Sequence, residues 1–541
     1  KPNILFIIAD DLNDSVEGFG GHPQAITPNI DRLASRGVTF INAACNAPLC
    51  APSRPSMLTG LYPHTTGFFG NPKESIGGKH AWDHDVFKKA KTWVQYFKEN
   101  GYDVHGAGKI DHNYSEKWSD WSESGKIVYG PKPGWGPFPY KGSNLKPGST
   151  DMNFHLAAPH SSMPDIYHLS FFVPLSDIPR TPPNPKIGFE GYTGWYMHNE
   201  PFRYHSESDR DMMPDELLAE YAEEFFEDRV KTKSKKPFFL NIGINRPHAP
   251  LVAPKKYFDM FPLDSIQLAP VKEDDLDDCA PFLYKDFIKN RVSMCGGHEK
   301  YSKKARKGYM KKWTQAYLAC VSFADDMIGR VLNALEKSPY AENTLVIFTS
   351  DHGYHMGEKL YNFKNSAWEE SARVPFVVAG PGVTPGKKCS TPISLVDIYP
   401  TIIDYAGLPE QPHPHLPLDG SSIRPLLKEP TKGAWQGPPV SITSLSSRNL
   451  STWGDNAIIP EAVGKADAQI YSIRSDRFRY IICPDGSSEL YDMLNDPYAW
   501  HNLSNSPEWQ AVKENLHKEA EKMTGARLGE YFEPNSYRTR K

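Results

Sequence analysis

The chain has 541 residues, of which 39% are hydrophobic and 23% are charged, and its formal net charge at pH 7 is −4. Its length exceeds one ordinary hydrophobic core and predicts two domains, and its composition excludes a fibrous or disordered protein. The slightly acidic balance argues against nucleic acid as a partner, so a local positive patch would have to attract any anionic substrate. No apolar run in the sequence is long enough to predict a membrane span.

The first predicted element is a buried strand, the apolar run at residues 3–9. Asp10 and Asp11 follow it directly, at the place where chemistry gathers in open α/β sheets. Adjacent carboxylates repel each other unless a cation lies between them, and a hard cation with oxygen ligands would account for the pair. A solvated Asp-Asp turn is the simpler alternative.

A helix capped by Thr27 and a strand at residues 38–42 come next, and then the stretch Cys-Ala-Pro-Ser-Arg at residues 50–54. Pro52 favours the first turn of a helix, which places Cys50 at a helix N-terminus, where negative charge is stabilised. Arg54 adds a permanent cation one turn on. The stretch predicts a nucleophile in a site suited to an oxyanion, with a buried core thiol as the alternative.

Three further predicted strands also end in charged or imidazole side chains. These strands span residues 102–106, 236–244 and 344–349. The side chains that follow them are Lys109, His112, His248, Asp351, His352 and Lys364. Helices alternate with the strands, which predicts a doubly wound α/β fold with a large, mostly parallel sheet flanked by helices.

The remaining regions lack this alternation of strands and helices. Residues 115–213 are rich in Gly, Pro, Trp and Tyr and predict long ordered loops. After residue 430 three short strand patterns and one helix predict a smaller α+β unit with an antiparallel sheet. We therefore expect a catalytic domain at residues 1–430 and a C-terminal subdomain at residues 431–541.

Taken together, these motifs resemble the type I sulfatases of the alkaline-phosphatase-like superfamily, closest to the iduronate-2-sulfatase branch. The resemblance covers nearly the whole chain. It rests on C-x-P-S-R with L-T-G, G-K-x-x-H, P-H-x-P, S-D-H-G and the C-terminal E-L-Y-D-x-x-x-D-P. Many sulfatases carry Asp-Asn where this chain has Asp351-His352, but Asp-His is similar to the iduronate-2-sulfatase branch.

The resemblance implies hydrolysis of a sulfate ester by residue 50. A formylglycine-generating or other maturing enzyme would oxidise Cys50 to formylglycine, whose hydrate offers a geminal diol. One calcium ion would be held by Asp10, Asp11, Asp351, His352 and an oxygen of residue 50. Arg54 would activate the diol and Lys109 and Lys364 would clamp the sulfuryl oxygens. His248, or alternatively Lys364, would protonate the leaving alcohol, and His112 would be the base that releases sulfate.

The implied substrate is a sulfated oligo- or polysaccharide, such as 2-O-sulfated uronic acid at a chain end, although an algal polysaccharide is equally compatible. Candidate sugar contacts are Arg246, Tyr354, His355, Trp82 and His84. The start at Lys1, just before a strand, is typical of an exported protein trimmed of its leader, in a periplasmic, extracellular or lysosome-like compartment. Two alternatives remain, a phosphate or phosphonate monoester hydrolase of the same superfamily and a non-catalytic glycan-binding relative. The sequence does not predict an oligomeric state.

Overall fold

A seven-stranded sheet forms the centre of the computed structural model, which describes residues 1–71, 78–112, 138–139, 172–177, 192–197, 200–283, 303–431, 433–447 and 462–532. In chain order its strands are β1 (Asn3–Asp10), β2 (Gly37–Phe40), β3 (Asp103–Gly108), β4 (Phe238–Pro247), β5 (Thr344–Ser350), β6 (Phe376–Ala379) and β7 (Lys387–Cys389). Their spatial order is β7-β2-β6-β5-β1-β4-β3, so β1 lies between β4 and β5.

The sheet is mostly parallel. β1 pairs in parallel with both β4 and β5, and β4 pairs in parallel with β3. Only β6 runs antiparallel to its neighbours within this sheet. The carboxyl ends of β1, β3, β4 and β5 therefore meet at one edge, as the sequence predicts for a doubly wound fold.

Helices cover both faces of the sheet. The main helices are α1 (Pro28–Ser35), α2 (Cys50–Thr59), α3 (Trp93–Glu99), α4 (Pro214–Thr232), α5 (Lys303–Glu336), α6 (Ile398–Ala406) and α7 (Gln510–Thr524). Successive side chains of a strand point to opposite faces. Leu5 and Ile7 of β1 accordingly join the core beneath α4 and α5, while Ile4 and Phe6 join the core beneath α3 and α6. These two cores confirm the predicted α/β class.

Shorter elements connect the main ones. They are the helices Pro63–Thr66, Asp85–Lys89, Lys255–Asp259, Glu369–Ala372 and Arg424–Lys428 and the strands Ala43–Ala44, Phe138–Pro139, Phe172–Pro174, Tyr192–Met197, Glu200–Ser206, Asp209–Arg210, Leu251–Ala253, His355–Met356, Asn362–Phe363 and Ile393–Ser394. Among the described residues, no helix combines the length and apolar character needed to cross a membrane.

Two local predictions differ from the structure. Thr27 precedes α1, but its side chain does not cap that helix; its Oγ1 instead accepts a hydrogen bond from the Glu17 amide. Asp325 of α5 caps the helix instead, because its carboxylate accepts hydrogen bonds from the amides of Asn29 and Ile30. Part of the predicted loop region also forms strands, including Glu200–Ser206, while most of the rest lies outside the described residues.

The C-terminal part forms a second sheet. Its strands are β8 (Ser441–Leu445), β9 (Ile470–Arg474), β10 (Phe478–Ile482) and β11 (Ser488–Asp492), all antiparallel to their neighbours. The sequence predicts three of these strands and α7, and misses β8. The division at residue 430 stays a prediction.

Glu489, the first acid of the E-L-Y-D motif, joins this sheet to the preceding chain. Its buried carboxylate accepts from the Ala280 amide, from Trp368 Nε1 and from the Tyr491 hydroxyl. The motif is therefore structural at this position.

Candidate active site

The side chains predicted past the strand ends converge at one edge of the sheet. Asp10 ends β1 and Asp11 follows it, while Asp351 and His352 follow the neighbouring β5. Cys50 is the first residue of α2, whose N-terminus points at these groups, and its side chain lies within a hydrogen-bonding distance of members of both pairs. Lys364, His248 and Lys109 border the same cluster.

Cys50 lies at the centre of this cluster and is only 2% exposed. Its Sγ is 3.5 Å from Oδ1 of Asp10, 3.2 Å from Nε2 of His352 and 3.2 Å from Nζ of Lys364. Burial raises the pKa of the thiol, but Lys109 and Lys364 outweigh burial and leave this pKa below its ordinary value. The surroundings of residue 50 therefore favour a negative charge there.

Four of these residues present donor atoms close enough to share one metal ion. The donor atoms of Asp10, Asp11, Cys50 and His352 lie within 4.8 Å of one another, and all four residues are buried. Asp351 lies beside them, with Oδ1 accepting from the Asp11 amide at 3.3 Å and Oδ2 accepting from Arg54. Two buried carboxylates suit a hard cation, and an oxygen on residue 50 would add a third oxygen donor.

Arg54 ties three chain segments of the site together from a fully buried position. Its Nε donates to Oδ2 of Asp351 at 2.8 Å and one terminal nitrogen donates to Oδ1 of Asp10 at 3.2 Å. The other terminal nitrogen donates to the backbone carbonyl of Lys109. The planar guanidinium makes these bonds in three directions at once, which a lysine ammonium could not do.

Lys109 and Lys364 bring positive charge to two different carboxylates of the site. Nζ of Lys109 pairs with Oδ2 of Asp10, and Nζ of Lys364 pairs with Oδ1 of Asp11. Burial opposes ionisation of Asp10, but Lys109 and Arg54 hold its pKa well below the usual range. The Lys364 side chain remains 17% exposed, whereas that of Lys109 is fully buried.

The imidazoles of His112 and His248 lie near these charges; His248 is buried and His112 is partly buried. Burial, together with Lys109, lowers the pKa of His112 to about 3. Burial also lowers the pKa of His248 to about 3, with Asp11 opposing the change and Lys364 adding to it. Both side chains are therefore neutral at pH 7, a state in which an imidazole accepts a proton.

The third imidazole, His352, behaves differently. Burial lowers its pKa, but Asp351 and Cys50 outweigh burial and raise this pKa to about 9. Its Nδ1 lies 2.9 Å from the carbonyl oxygen of Gly353, which leaves Nε2 facing Cys50 and Asp11.

Three of the candidate sugar contacts are built into the protein interior. Arg246 is buried, and its guanidinium donates to the carbonyls of Val252 and His248, so it supports the His248 loop instead of presenting a fork to a ligand. Tyr354 is buried in a stack on Tyr317. His355 is buried with Nε2 bonded to Ser366. The structure does not bring these three side chains to an opening where a sugar could reach them.

The other two candidates, Trp82 and His84, are also mostly buried. Trp82 Nε1 donates to Oδ2 of Asp111 at 2.6 Å, while Oδ1 of Asp111 accepts from the His112 amide. Trp82 therefore supports the segment that carries His112. His84 packs edge-on against Phe68.

The sequence reasoning missed three residues that support the site. Ser53 Oγ donates to the carbonyl of Asp351 at 2.6 Å. Ser350 Oγ accepts from the Leu12 amide and so joins the segments after β1 and β5. Asp111 contacts the His112 amide as described above. Ser53 and Ser350 lie within the C-x-P-S-R and S-D-H-G motifs, so their position in those motifs was the available signal.

The chain is similar to known proteins both in sequence and in fold. A family model described as "Sulfatase" matches residues 2–134 and 142–408. A "Sulfatase" of Formosa agariphila is 34% identical over 517 residues, covering 95% of this chain and 85% of that protein. "Iduronate 2-sulfatase" of Homo sapiens is 28% identical over 567 residues, covering 93% of this chain and 91% of that protein.

A solved structure, described as a complex with its substrate D-glucosamine-2-N,6-O-disulfate, has a similar fold. It superposes with a TM-score of 0.61 at 19% identity, covering 97% of this chain and 98% of that one. At this identity the likeness speaks for the fold, and it agrees with the mostly parallel sheet described above.

Proposed function

Because this chain belongs to the sulfatase family and is a sulfuric ester hydrolase, we propose that residue 50 is its nucleophile after oxidation of Cys50 to formylglycine. The observation that carries this proposal is the position of Cys50 Sγ, 3.2 Å from both Lys364 Nζ and His352 Nε2 and 3.5 Å from Asp10. A hydrated formylglycine supplies one hydroxyl to attack sulfur and a second whose deprotonation releases sulfate.

We propose calcium as the metal, held by Asp10, Asp11, His352 and residue 50, with Asp351 as a fifth candidate. The support is chemical, since calcium prefers oxygen ligands and the carboxylates already face one point. When bound, a divalent cation lowers the pKa of a coordinated hydroxyl and polarises the ester. His352, a nitrogen donor, is the least suited of these ligands and is equally placed to donate a hydrogen bond to a sulfuryl oxygen.

The cations of the chain neutralise the charge that builds up during attack. A sulfate monoester is an anion, so an anionic nucleophile is repelled by it unless positive groups lie between them. Lys109 and Lys364 lie beside Asp10 and Asp11, where their ammonium groups can clamp sulfuryl oxygens. Arg54 fixes the carboxylates and adds a permanent charge behind residue 50.

Proton transfer is assigned to the imidazoles. His112 is neutral at pH 7 and suits the base that releases sulfate from residue 50. His248 is our candidate for the acid that protonates the leaving alcohol, because the negative charge of a bound sulfate ester would raise its pKa. Lys364 carries a proton at neutral pH and is the alternative acid, since Asp11 and residue 50 outweigh burial and raise its pKa.

We propose a sulfated oligo- or polysaccharide as the substrate, attacked at a chain end. The relatives named above include an iduronate 2-sulfatase, and a similar fold binds a disulfated glucosamine. A maturing enzyme that oxidises Cys50 is a necessary partner under this mechanism. An exported location stays a prediction.

The test combines maturation chemistry with a substrate screen. Peptide mass spectrometry should find the mass of formylglycine at residue 50, and the purified protein should release sulfate from defined sulfated oligosaccharides. Cys50→Ala should abolish this release, while the matched variant Cys389→Ala, at a buried thiol outside the site, should retain it. Sulfate release by Cys50→Ala near the parent rate would refute the mechanism. Faster hydrolysis of an aryl phosphate than of the aryl sulfate would favour the phosphomonoesterase alternative.

A further inference from the structure

The backbone at Asp11 has an unusual conformation. Its φ angle is +64°, in the left-handed region that non-glycine residues seldom adopt, although aspartate tolerates it better than most. Consecutive side chains of a regular strand point to opposite faces, so Asp10 and Asp11 could not both face residue 50 if β1 simply continued. The left-handed conformation of Asp11 interrupts this alternation at the point where the Asp10 and Asp11 side chains converge on residue 50.

Tyr317 of α5 contacts the backbone on both sides of this turn. Its hydroxyl donates to the carbonyl of Asp11 at 2.8 Å and accepts from the amide of Asn13 at 3.0 Å. Tyr317 is fully buried, and its ring stacks on Tyr354 with centroids 5.3 Å apart and an interplanar angle of 18°. The packing of the Tyr317 ring therefore fixes the position of its hydroxyl, independently of the hydrogen bonds to Asp11 and Asn13.

One hydroxyl thus satisfies a donor and an acceptor of the buried segment that carries Asp11. Removing it would leave the Asp11 carbonyl and the Asn13 amide without this partner, and a buried unpaired polar group is costly. The loop would then gain from relaxing away from the left-handed conformation. Such a relaxation would move the Asp11 carboxylate relative to Asp10 and His352, which share the metal-binding cluster with it.

We propose that Tyr317 is a positioning residue that holds Asp11 in its left-handed conformation and thereby sets the affinity of the site for calcium. This inference rests on the calcium site of the proposed function. Residues that orient metal ligands through hydrogen bonds typically change metal affinity 10–100-fold when altered. A merely structural tyrosine would change thermal stability and leave calcium affinity unchanged.

The test removes only the hydroxyl, by Tyr317→Phe, and measures calcium binding directly. The matched control is Tyr257→Phe, which removes another tyrosine hydroxyl bonded to α5, at Asp326, away from the cluster. The holoenzyme and both variants are treated with chelator, and the calcium Kd of each apoprotein is measured by calorimetric titration alongside its Tm. We expect about a 10–100-fold weaker Kd for Tyr317→Phe, an unchanged Kd for Tyr257→Phe and recovery of turnover by Tyr317→Phe at saturating calcium.

Equal calcium Kd values for wild type and Tyr317→Phe would overturn this inference alone. Absence of calcium binding by the wild type would instead overturn the metal assignment of the proposed function, and this inference with it. If Tyr317→Phe does not fold, 3-fluorotyrosine placed at position 317 keeps the hydroxyl and supplies a ¹⁹F signal. That signal should shift on calcium addition, and the same probe at position 257 should not; an unresponsive signal at 317 would refute the inference.

Discussion

Nε of Arg54 donates a 2.8 Å hydrogen bond to Oδ2 of Asp351, and both side chains are fully buried. The bond joins α2, whose first residue is Cys50, to the segment that follows β5 and contains Asp351 and His352. One planar side chain therefore connects the proposed nucleophile position to the proposed metal-binding cluster.

We expect Arg54→Lys to retain positive charge and still lose function. A lysine cannot make the three bonds of Arg54 to Asp351, Asp10 and the Lys109 carbonyl. The value of kcat/KM on a sulfated sugar should fall by about 100-fold or more. Arg330→Lys, at a partly exposed pair with Glu223, is the control and should retain both activity and Tm. Parent-like kinetics of Arg54→Lys would contradict the role of the planar fork.

The two candidate acids can be separated by the leaving group. An acid contributes little when the departing oxygen is already a good leaving group, whereas a clamp on the sulfuryl oxygens contributes to every substrate. His248→Gln should therefore lose about 100-fold or more on a sugar sulfate and far less on 4-nitrophenyl sulfate, while Lys364→Met should lose similarly on both. The opposite pattern would assign the acid to Lys364.

Chelation of calcium should abolish turnover and lower the Tm together. Chelation would remove the divalent cation that we propose for the buried carboxylates Asp10 and Asp11, and a ligand present at a hundredfold its Kd stabilises a fold by about 2.7 kcal/mol. Calcium should restore both properties, and magnesium should do so poorly because it demands octahedral geometry with short bonds. Asp11→Asn should respond weakly to chelator, whereas Asp404→Asn, at a partly exposed residue paired with Arg424, should respond like the parent. Full activity of the parent in chelator would rule out the metal.

Stability should fall with rising pH because of Glu370. Burial, and the neighbouring Glu358, raise the pKa of Glu370 from 4.5 to about 8 in the folded chain. Between these values the folded chain keeps a proton that the unfolded chain has lost, so the free energy of unfolding decreases as pH rises, by at most about 1.4 kcal/mol per pH unit.

Glu370→Gln removes this titration, so its Tm should vary less between pH 5 and 8 and exceed the parent Tm at pH 8. Calorimetry across this range measures the effect, with the exposed Glu227→Gln as control. Parallel curves for parent and Glu370→Gln would show that Glu370 is ionised throughout.

Lys359 should be important for stability and not for chemistry. Its buried Nζ lies 2.6 Å from Oδ1 of Asp275 and over the ring of Tyr491 in the C-terminal sheet. Lys359→Met would leave Asp275 buried without its cation, which typically costs about 3–5 kcal/mol. Denaturant unfolding should detect this loss, and the exposed Lys387→Met should not show it. The calcium Kd of folded Lys359→Met should equal that of the parent; a weakened Kd would connect the two regions.

The convergence of the reactive groups could be predicted because strand order decides it. Asp10 ends one parallel strand and Asp351 and His248 each follow another, and parallel strands end at one edge of the sheet. The direction in which a side chain points after a strand cannot be predicted from strand order, because tertiary contacts determine it. Tyr354 and His355 lie two and three residues after His352, yet Tyr354 stacks on Tyr317 and His355 bonds to Ser366 in the interior.

Long-range partners were also beyond reach from the sequence. Thr27 has the residue type and position of a helix cap, but Asp325, almost 300 residues later, supplies the bonds. Arg246 has the residue type expected to bind a carboxylate, but its Nε donates a hydrogen bond to the Val252 carbonyl instead. In both cases the residue type is compatible with more than one role, and a tertiary contact determines which role the residue has.

The central position of β1 also has a consequence for when Cys50 can be modified. β1 pairs with β4 and β5, which begin at Phe238 and Thr344, so during synthesis the site cannot close until both have been made. From Cys50 to β5 this is roughly 300 residues, or about 15–60 s at ordinary translation rates.

In the finished fold Cys50 is buried, so we expect a maturing enzyme to convert a peptide spanning residues 45–60 and to fail on the refolded, unmodified chain. Conversion of the refolded chain would contradict this expectation. The order of the strands along the chain thereby sets the time available for maturation.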